Sequence, residues 1–141
     1  MKIIITKNYE ETSERAAEIM LGVVKKNPKA VLGLATGTTP LGLYAKMISD
    51  HRENGTDYSK VCTVNLDEYK GLPNTHEQSY AYFMKKNLFD GLGILPEQTN
   101  IEDGMAKDEK VECARYDALL EEFPRDIQLL GLGKPLVLTR H

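Results

Sequence analysis

The chain has 141 residues, a formal net charge of −3 at pH 7, and a composition that is 41% hydrophobic and 28% charged. This length predicts one domain, large enough to bury a core. The acidic balance and the lack of a basic stripe argue against nucleic acid as a partner. No apolar run reaches the roughly 18–20 residues that a membrane span requires, and the first residues do not resemble a signal peptide. The two cysteines, Cys62 and Cys113, show no metal-ligand spacing, so we expect a cytoplasmic protein with reduced thiols.

In the first part of the chain, short apolar runs alternate with helical patterns. Residues 2–6, Lys-Ile-Ile-Ile-Thr, are apolar and β-branched and predict a buried strand. Residues 8–27 carry apolar side chains at helical spacing. After a proline break, residues 30–35 predict a second strand. Residues 40–54 predict a helix that stops at Gly55.

The alternation of strand and helix patterns continues through residues 60–133. Residues 60–66 predict a third strand, residues 79–92 and 108–123 predict two helices, and residues 126–133 predict a fourth strand. The expected apolar stripe of the last helix consists of Val111, Ala114, Ala118, Leu119 and Leu120. Strands that alternate with helices predict an α/β fold, with a mostly parallel sheet and helices on both of its faces.

The loop after the second predicted strand is a candidate binding site, because ligands of open α/β sheets lie at the carboxyl ends of the strands. This loop reads Thr36-Gly37-Thr38-Thr39, and Pro40 follows where a helix should begin. A helix N-terminus offers unpaired N–H groups and a partial positive charge, which suit a phosphate. The alternative is an ordinary helix cap made by Thr39. The loop matches neither a Walker A sequence nor a dinucleotide-binding fingerprint.

An acidic pair follows the third predicted strand. Asp67 and Glu68 come directly after an apolar run, and Tyr69 comes next. In a partly desolvated pocket, either carboxylate would have a raised pKa and could act as a general base. The alternative is a solvated turn. We find no spacing that predicts a metal site, a Ser-His-Asp triad or a Cys-His pair.

Three motifs in this order and at these intervals, GLATGTTPLGLY, VNLDEYKGLP and HEQSYAYFM, resemble those of glucosamine-6-phosphate deaminases. The likeness covers essentially Met1 to Gly133. It implies a modified Rossmann-like fold. It also implies a reaction of amino-sugar catabolism, in which glucosamine 6-phosphate becomes fructose 6-phosphate and ammonia.

The resemblance also implies roles for single residues. Thr36 to Thr39 match the family's phosphate-binding loop, and Asp67 matches the carboxylate base that takes the C2 proton of the opened sugar. Glu68 and Tyr69 are predicted to lie in the same substrate pocket. No cofactor and no metal are expected, because a carboxylate alone can pass a proton between adjacent carbons. Since water releases the ammonia from an imine, we expect the enzyme to be a hydrolase.

The resemblance ends near Lys134. The positions of the family's ring-opening aspartate and histidine hold Pro135 and Val137, and His141 is out of register. We therefore expect an incomplete deaminase-like domain over residues 1–133, an unrelated tail over residues 134–141, and weak or absent turnover. A truncated sheet exposes apolar surface, which predicts a homo-oligomer.

Two other functions compete with this interpretation. A 6-phosphogluconolactonase-like hydrolase would share the architecture and the phosphate loop, but that family usually has an arginine where this chain has Tyr69. A catalytically inactive fragment that binds a sugar phosphate is the second alternative, and the absent ring-opening residues favour it.

Overall fold

The structure, a computed structural model, describes residues 2–131 and 136–140, which form one five-stranded sheet with surrounding helices. The helices are α1 (Tyr9–Lys26), α2 (Leu41–Asn54), α3 (Tyr80–Met84), α4 (Asp90–Leu92) and α5 (Glu109–Glu122). The strands are β1 (Val31–Leu34), β2 (Cys62–Asn65), β3 (Thr99–Asn100), β4 (Ile127–Gly131) and β5 (Leu136–Arg140). A π-helical segment, Lys85–Phe89, joins α3 to α4, and a 3-10 turn, Pro96–Gln98, precedes β3.

The sheet has the strand order β3-β2-β1-β4-β5, and its first four strands run parallel. The chain moves outward from β1 to β2 and β3, and then returns through α5 to place β4 on the other side of β1. Right-handed crossovers put helices on opposite faces when the direction of winding reverses in this way. The predicted α/β fold with a mostly parallel sheet is therefore confirmed. The reversal creates a crevice between the carboxyl ends of β1 and β4.

The main core lies between one face of the sheet and the α1, α2, α3 and α4 helices. Leu32 and Leu34 of β1 are buried there together with Leu129 of β4, while Met20 and Met47 come from α1 and α2. Each such side chain contributes roughly 1.5–3 kcal/mol relative to an exposed one. This packing fixes the two helices against β1 and so determines where the loop after β1 lies.

The predicted helix ends agree with the capping residues. The Asn8 side chain accepts a hydrogen bond from the N–H of Glu11 at 2.9 Å and begins α1. Asp108 accepts from the N–H of Lys110 at 3.0 Å and begins α5. Gly55 ends α2 in the left-handed conformation, with φ of 69°, which a residue without Cβ adopts readily.

The helix α5 is confirmed, and Leu119 and Leu120 are half-buried, but the first three residues of its predicted apolar stripe are wrong. Val111 is 65% exposed, and Ala114 and Ala118 are exposed as well. The buried residue of α5 is Tyr116, whose hydroxyl group donates to the backbone carbonyls of β2 and β3 residues. A phenol ring buries more area than Ala or Val and also satisfies strand-end carbonyl groups, so it decides which side of the helix faces the sheet.

The predicted strand at residues 2–6 is also wrong. This segment is not a strand, and Ile3 and Ile5 are 78% and 91% exposed. Lys2, Ile4 and Thr6 line a cavity with Leu136 and Leu138 of β5, but the segment is not paired with any strand of the sheet. An apolar β-branched run needs a strand edge before its propensity has any effect.

Two strands were not predicted from the sequence. β3 has two residues, too few for a pattern to be recognised. β5 lies within the predicted tail and pairs antiparallel with β4, with Val137 opposite Leu130. Leu136 and Leu138 of this strand pack against the core.

Candidate functional site

The loop after β1 turns sharply before α2. Gly37 adopts φ of 98°, in the region that favours glycine, and Pro40 occupies the cap position of α2. Gly37 and Thr38 are exposed, whereas Thr36 and Thr39 are half-buried. A cavity of about 860 Å³ opens beside the loop and is lined by hydroxyl-bearing side chains that include Thr38 and Thr39. The site residues predicted from this loop are thus brought together at the end of β1.

Tyr9 of α1 holds this loop, which the sequence analysis missed. Its hydroxyl group lies 2.8 Å from the carbonyl oxygen of Thr39 and 3.1 Å from that of Thr38, either of which can accept its proton. The same hydroxyl oxygen accepts the N–H of Gly42 at 2.9 Å. One of the first N–H groups of α2 is therefore already engaged. Tyr9 lies about thirty residues earlier in the chain, so no local motif indicates this contact.

The ends of β1 and β2 are tied to each other. The side-chain amide of Asn65 donates to the carbonyl oxygen of Leu34 at 3.2 Å. The Tyr44 hydroxyl accepts the N–H of Ala35 at 3.0 Å and contacts the carbonyl of the same residue. These buried bonds fix the two strand ends from which the candidate site projects.

Asp67 lies two residues beyond β2, at the carboxyl edge of the sheet, and is exposed. Partial desolvation of its carboxyl group raises its pKa, and the neighbouring negative charge of Glu68 raises it further. A raised pKa makes the carboxylate a stronger base while leaving it accessible to a ligand.

Glu68 has a structural role that its sequence position did not indicate. Its carboxylate accepts hydrogen bonds from the backbone N–H groups of Tyr69 at 2.8 Å, Tyr80 at 2.8 Å and Ala81 at 3.0 Å. Two of these N–H groups belong to the first turn of α3. Glu68 thus caps α3 with a full negative charge, which fixes the backbone that carries Asp67.

Tyr80 connects the loop after β1 to the loop after β2, and it too was not predicted. Its ring packs against the Tyr69 ring, with the centroids 4.7 Å apart. The hydrogen bond with Tyr69 raises the pKa of Tyr80, the charge of Asp67 adds to this effect, and a hydrogen bond with Thr36 opposes it. The phenol of Tyr80 is therefore close to both Thr36 and Asp67, two of the site residues predicted from the sequence. Tyr69 contributes to this wall of the pocket and is half exposed.

The tail predicted over residues 134–141 lies partly outside the described residues. Pro135 and His141 belong to this part, and Val137 is a half-buried residue of β5. Across residues 2–131 and 136–140, no three His, Cys, Asp or Glu side chains come together as metal ligands. Over the same residues, no helix has the length and apolar character needed to cross a membrane.

A sheet with this strand order, and with a glycine-containing loop and a carboxylate at adjacent strand ends, defines a Rossmann-like α/β protein. The family model described as glucosamine-6-phosphate isomerases/6-phosphogluconolactonase matches residues 6–135, and the chain belongs to this family. Because the family processes sugar phosphates, its substrates are small molecules.

Relatives of this chain are glucosamine-6-phosphate deaminases. One from Geobacillus sp. (strain WCH70) is 50% identical over 95% of this chain and 54% of its own length. One from Clostridium perfringens (strain SM101 / Type A) is 49% identical over 94% of this chain and 55% of its own length. The chain thus spans about half the length of the curated relatives that it matches, and the predicted family resemblance is confirmed.

Solved structures support the fold. A monomeric glucosamine-6-phosphate deaminase superposes with a TM-score of 0.91 at 41% identity, covering 94% of this chain and 56% of that protein. A 6-phosphogluconolactonase from Shewanella baltica OS155 superposes with a TM-score of 0.65 at 15% identity, over 84% of this chain and 50% of that protein. The second likeness shows the fold alone.

The prediction that the enzyme is a hydrolase is wrong. The matching relatives are glucosamine-6-phosphate deaminases, which are of the isomerase or lyase type, and the family model carries the word isomerases.

Proposed function

We propose that this chain carries the phosphate loop and the base of a site that converts glucosamine 6-phosphate to fructose 6-phosphate and ammonia. The observation that supports this most is that the loop of residues 36–39 and Asp67 follow the adjacent parallel strands β1 and β2, and that Tyr80 is close enough to be influenced by both Thr36 and Asp67. A sugar phosphate held at one end by the loop would present its other end to a carboxylate whose pKa is raised.

In the proposed reaction, Asp67 removes the C2 proton of the opened sugar and leaves an enolamine. Protonation at C1 then gives an imine at C2. Water adds to this imine and ammonia leaves, so that one water is consumed for each ammonia released. A single carboxylate can carry the proton from C2 to C1, because the two carbons are adjacent.

The loop of residues 36–39 is proposed to bind the 6-phosphate. The positive φ of Gly37 and the hydroxyl groups that line the adjacent cavity favour an anion in this loop. Because Tyr9 engages the N–H of Gly42, we propose that the phosphate contacts the loop itself rather than the first turn of α2. Holding the phosphate would fix C2 against Asp67, which is a positioning contribution to the rate.

Three further proposals concern the molecule as a whole. With Pro135 and Val137 at the family's ring-opening positions, we expect slow turnover that depends on the sugar opening unaided. The thiols of Cys62 and Cys113 are unpaired, which fits a cytoplasmic location. The exposed Ile3 and Ile5 favour self-association of this chain into a homo-oligomer.

The test is the formation of fructose 6-phosphate from glucosamine 6-phosphate by the full chain and by Asp67→Asn. Loss of the base is expected to slow turnover by roughly 10²–10⁴-fold. Asp117→Asn is the matched control, because it makes the same chemical change at an exposed position of α5 and should leave turnover unaltered. Equal turnover by Asp67→Asn and the unmodified chain would refute the role of Asp67.

A further inference from the structure

A second carboxyl group shares a cavity with Asp67. Glu102 follows β3, and a cavity of about 280 Å³ is lined by Glu102, Asp67 and Glu68 among others. Since β3 lies next to β2 in the sheet, the two carboxyl groups come from adjacent strand ends. The function proposed above assigns no role to Glu102.

The two loops that carry these carboxyl groups are held in a fixed relation. The N–H of Gly71 donates to the carbonyl oxygen of Gly104 at 2.7 Å. A Cβ at Gly104 would lie 2.2 Å from the carbonyl oxygen of Tyr69, so only glycine permits this approach. The N–H of Asp103 donates to Glu112 of α5 at 2.8 Å. The loop after β3 is thus anchored to the loop after β2 and to α5.

One carboxyl oxygen of Glu102 is buried without a partner. Its Oε2 atom forms no hydrogen bond with any residue in the described part of the chain. An ionised carboxylate in such a position is costly, whereas a protonated carboxyl group has less charge to solvate.

The charges near Glu102 are mostly negative. The titratable groups around it are Asp67, Glu68, Lys70, Asp103, Glu109, Glu112, Cys113, Arg115 and Tyr116. Of the two cations among them, Lys70 is paired with Glu109, and Arg115 is paired with Glu112 through its Nε atom at 2.8 Å. Burial is the main cause that raises the pKa of Glu102 to about 7, and the charges of Asp67, Glu68 and Glu112 add to it.

We propose that Glu102 is a positioning residue that acts on Asp67 through its charge: the two side chains share one proton at neutral pH, and Glu102 holds it. While Glu102 holds this proton, it adds no negative charge to those of Asp67 and Glu68 in the cavity. Asp67 then stays ionised and able to accept a proton. The inference rests on the proposed role of Asp67 as the base.

The sign of the coupling follows from Coulomb repulsion. Asp67 ionises first, and its charge then opposes the ionisation of Glu102, which raises the pKa of Glu102. Removing the Asp67 charge must therefore lower the pKa of Glu102. In return, when Glu102 ionises as the pH rises through neutrality, its charge stabilises a proton on Asp67 and makes Asp67 a stronger base.

The experiment follows the side-chain carboxyl carbons by NMR in the ¹³C-labelled, ligand-free chain between pH 4 and pH 9. Glu102 is expected to titrate with a midpoint of about 7. Asp67→Asn should lower this midpoint by at least about half a pH unit, whereas Asp117→Asn, on an exposed part of α5, should leave it unchanged. Glu102→Gln should remove the step near neutral pH from the titration of Asp67.

A Glu102 midpoint near 4.5 would overturn the inference, and so would a midpoint that Asp67→Asn does not move. Because the titration needs neither ligand nor turnover, the two proposals can fail separately. A coupled titration in a chain without turnover would support the present inference and count against the deaminase activity. Turnover that depends on Asp67, together with a Glu102 midpoint near 4.5, would support the deaminase activity and overturn the present inference.

Discussion

At the scale of single residues, the residues that hold the site differ from those that the motifs indicate. The motifs point to the loop of residues 36–39 and to Asp67. Tyr9 and Tyr80 hold these parts through contacts with residues distant in the chain. Hydroxyl groups on aromatic rings suit this task, because the ring packs firmly while the oxygen both donates and accepts.

Tyr9→Phe tests whether the Tyr9 hydroxyl positions the proposed phosphate loop. The change leaves the ring in place but deprives the N–H of Gly42 and the carbonyl of Thr39 of a partner. We expect the affinity for glucosamine 6-phosphate, measured by calorimetry, to fall about 5- to 10-fold, which corresponds to about 1–1.5 kcal/mol for one lost hydrogen bond.

Tyr82→Phe is the matched control for this experiment. Tyr82 is half-buried and lines a different cavity, away from the loop of residues 36–39. Its substitution should leave the affinity unchanged. If both variants bind the sugar phosphate as tightly as the unmodified chain, the hydrogen bonds of the Tyr9 hydroxyl group do not contribute to binding.

At the scale of elements, the N-terminus of α3 affects both the stability of the fold and the position of the proposed base. Glu68 supplies the charge that satisfies its first N–H groups, and the residue before it is the proposed base. The stability of this helix end and the placement of Asp67 are therefore linked.

Glu68→Gln is expected to lower the free energy of unfolding by about 1–2 kcal/mol, because a charged hydrogen-bond acceptor at a helix N-terminus is replaced by a neutral one. Urea denaturation followed by circular dichroism measures this difference. Glu77→Gln makes the same change at an exposed position of the same connecting segment and should have little effect. An unaltered unfolding curve for Glu68→Gln would show that the cap contributes nothing to stability.

The sequence predicts most elements of this fold because caps and periodicity are local signals. Asn8 and Gly55 mark the ends of α1 and α2 where they were expected. The predictions that were wrong concern features that depend on tertiary contacts. The inward face of α5 is decided by one phenol that reaches two strand ends, and residues 2–6 do not pair despite an ideal composition.

The candidate site shows the same division. The loop of residues 36–39 and the acidic pair are candidates that the sequence alone indicates, because they follow predicted strands at the edge of the sheet where α/β proteins bind ligands. The division of roles between Asp67 and Glu68 could not be read from the sequence, since it depends on which carboxylate meets the N–H groups of α3. Glu102 carried no signal at all, because its burial arises from three segments that meet only in the fold.

At the scale of the whole molecule, the main feature is the crevice at the carboxyl edge of the sheet. The reversal of winding between β1 and β4 creates the crevice, and the loop of residues 36–39 lies at its edge. The chain matches about half the length of its relatives. The central question is therefore whether the elements present in this chain are sufficient to move the proton.

The measurement that tests this most directly is the exchange of the C1 hydrogen of fructose 6-phosphate in D₂O with ammonium present, followed by NMR. Run in this direction, the reaction requires Asp67 to remove a proton from C1, and it reports proton transfer even where net turnover is slow. We expect the unmodified chain to introduce one deuterium at C1 and Asp67→Asn to introduce none above the rate without protein. Equal exchange by both proteins, or none by either, would contradict the account of Asp67 as a base that works within this chain.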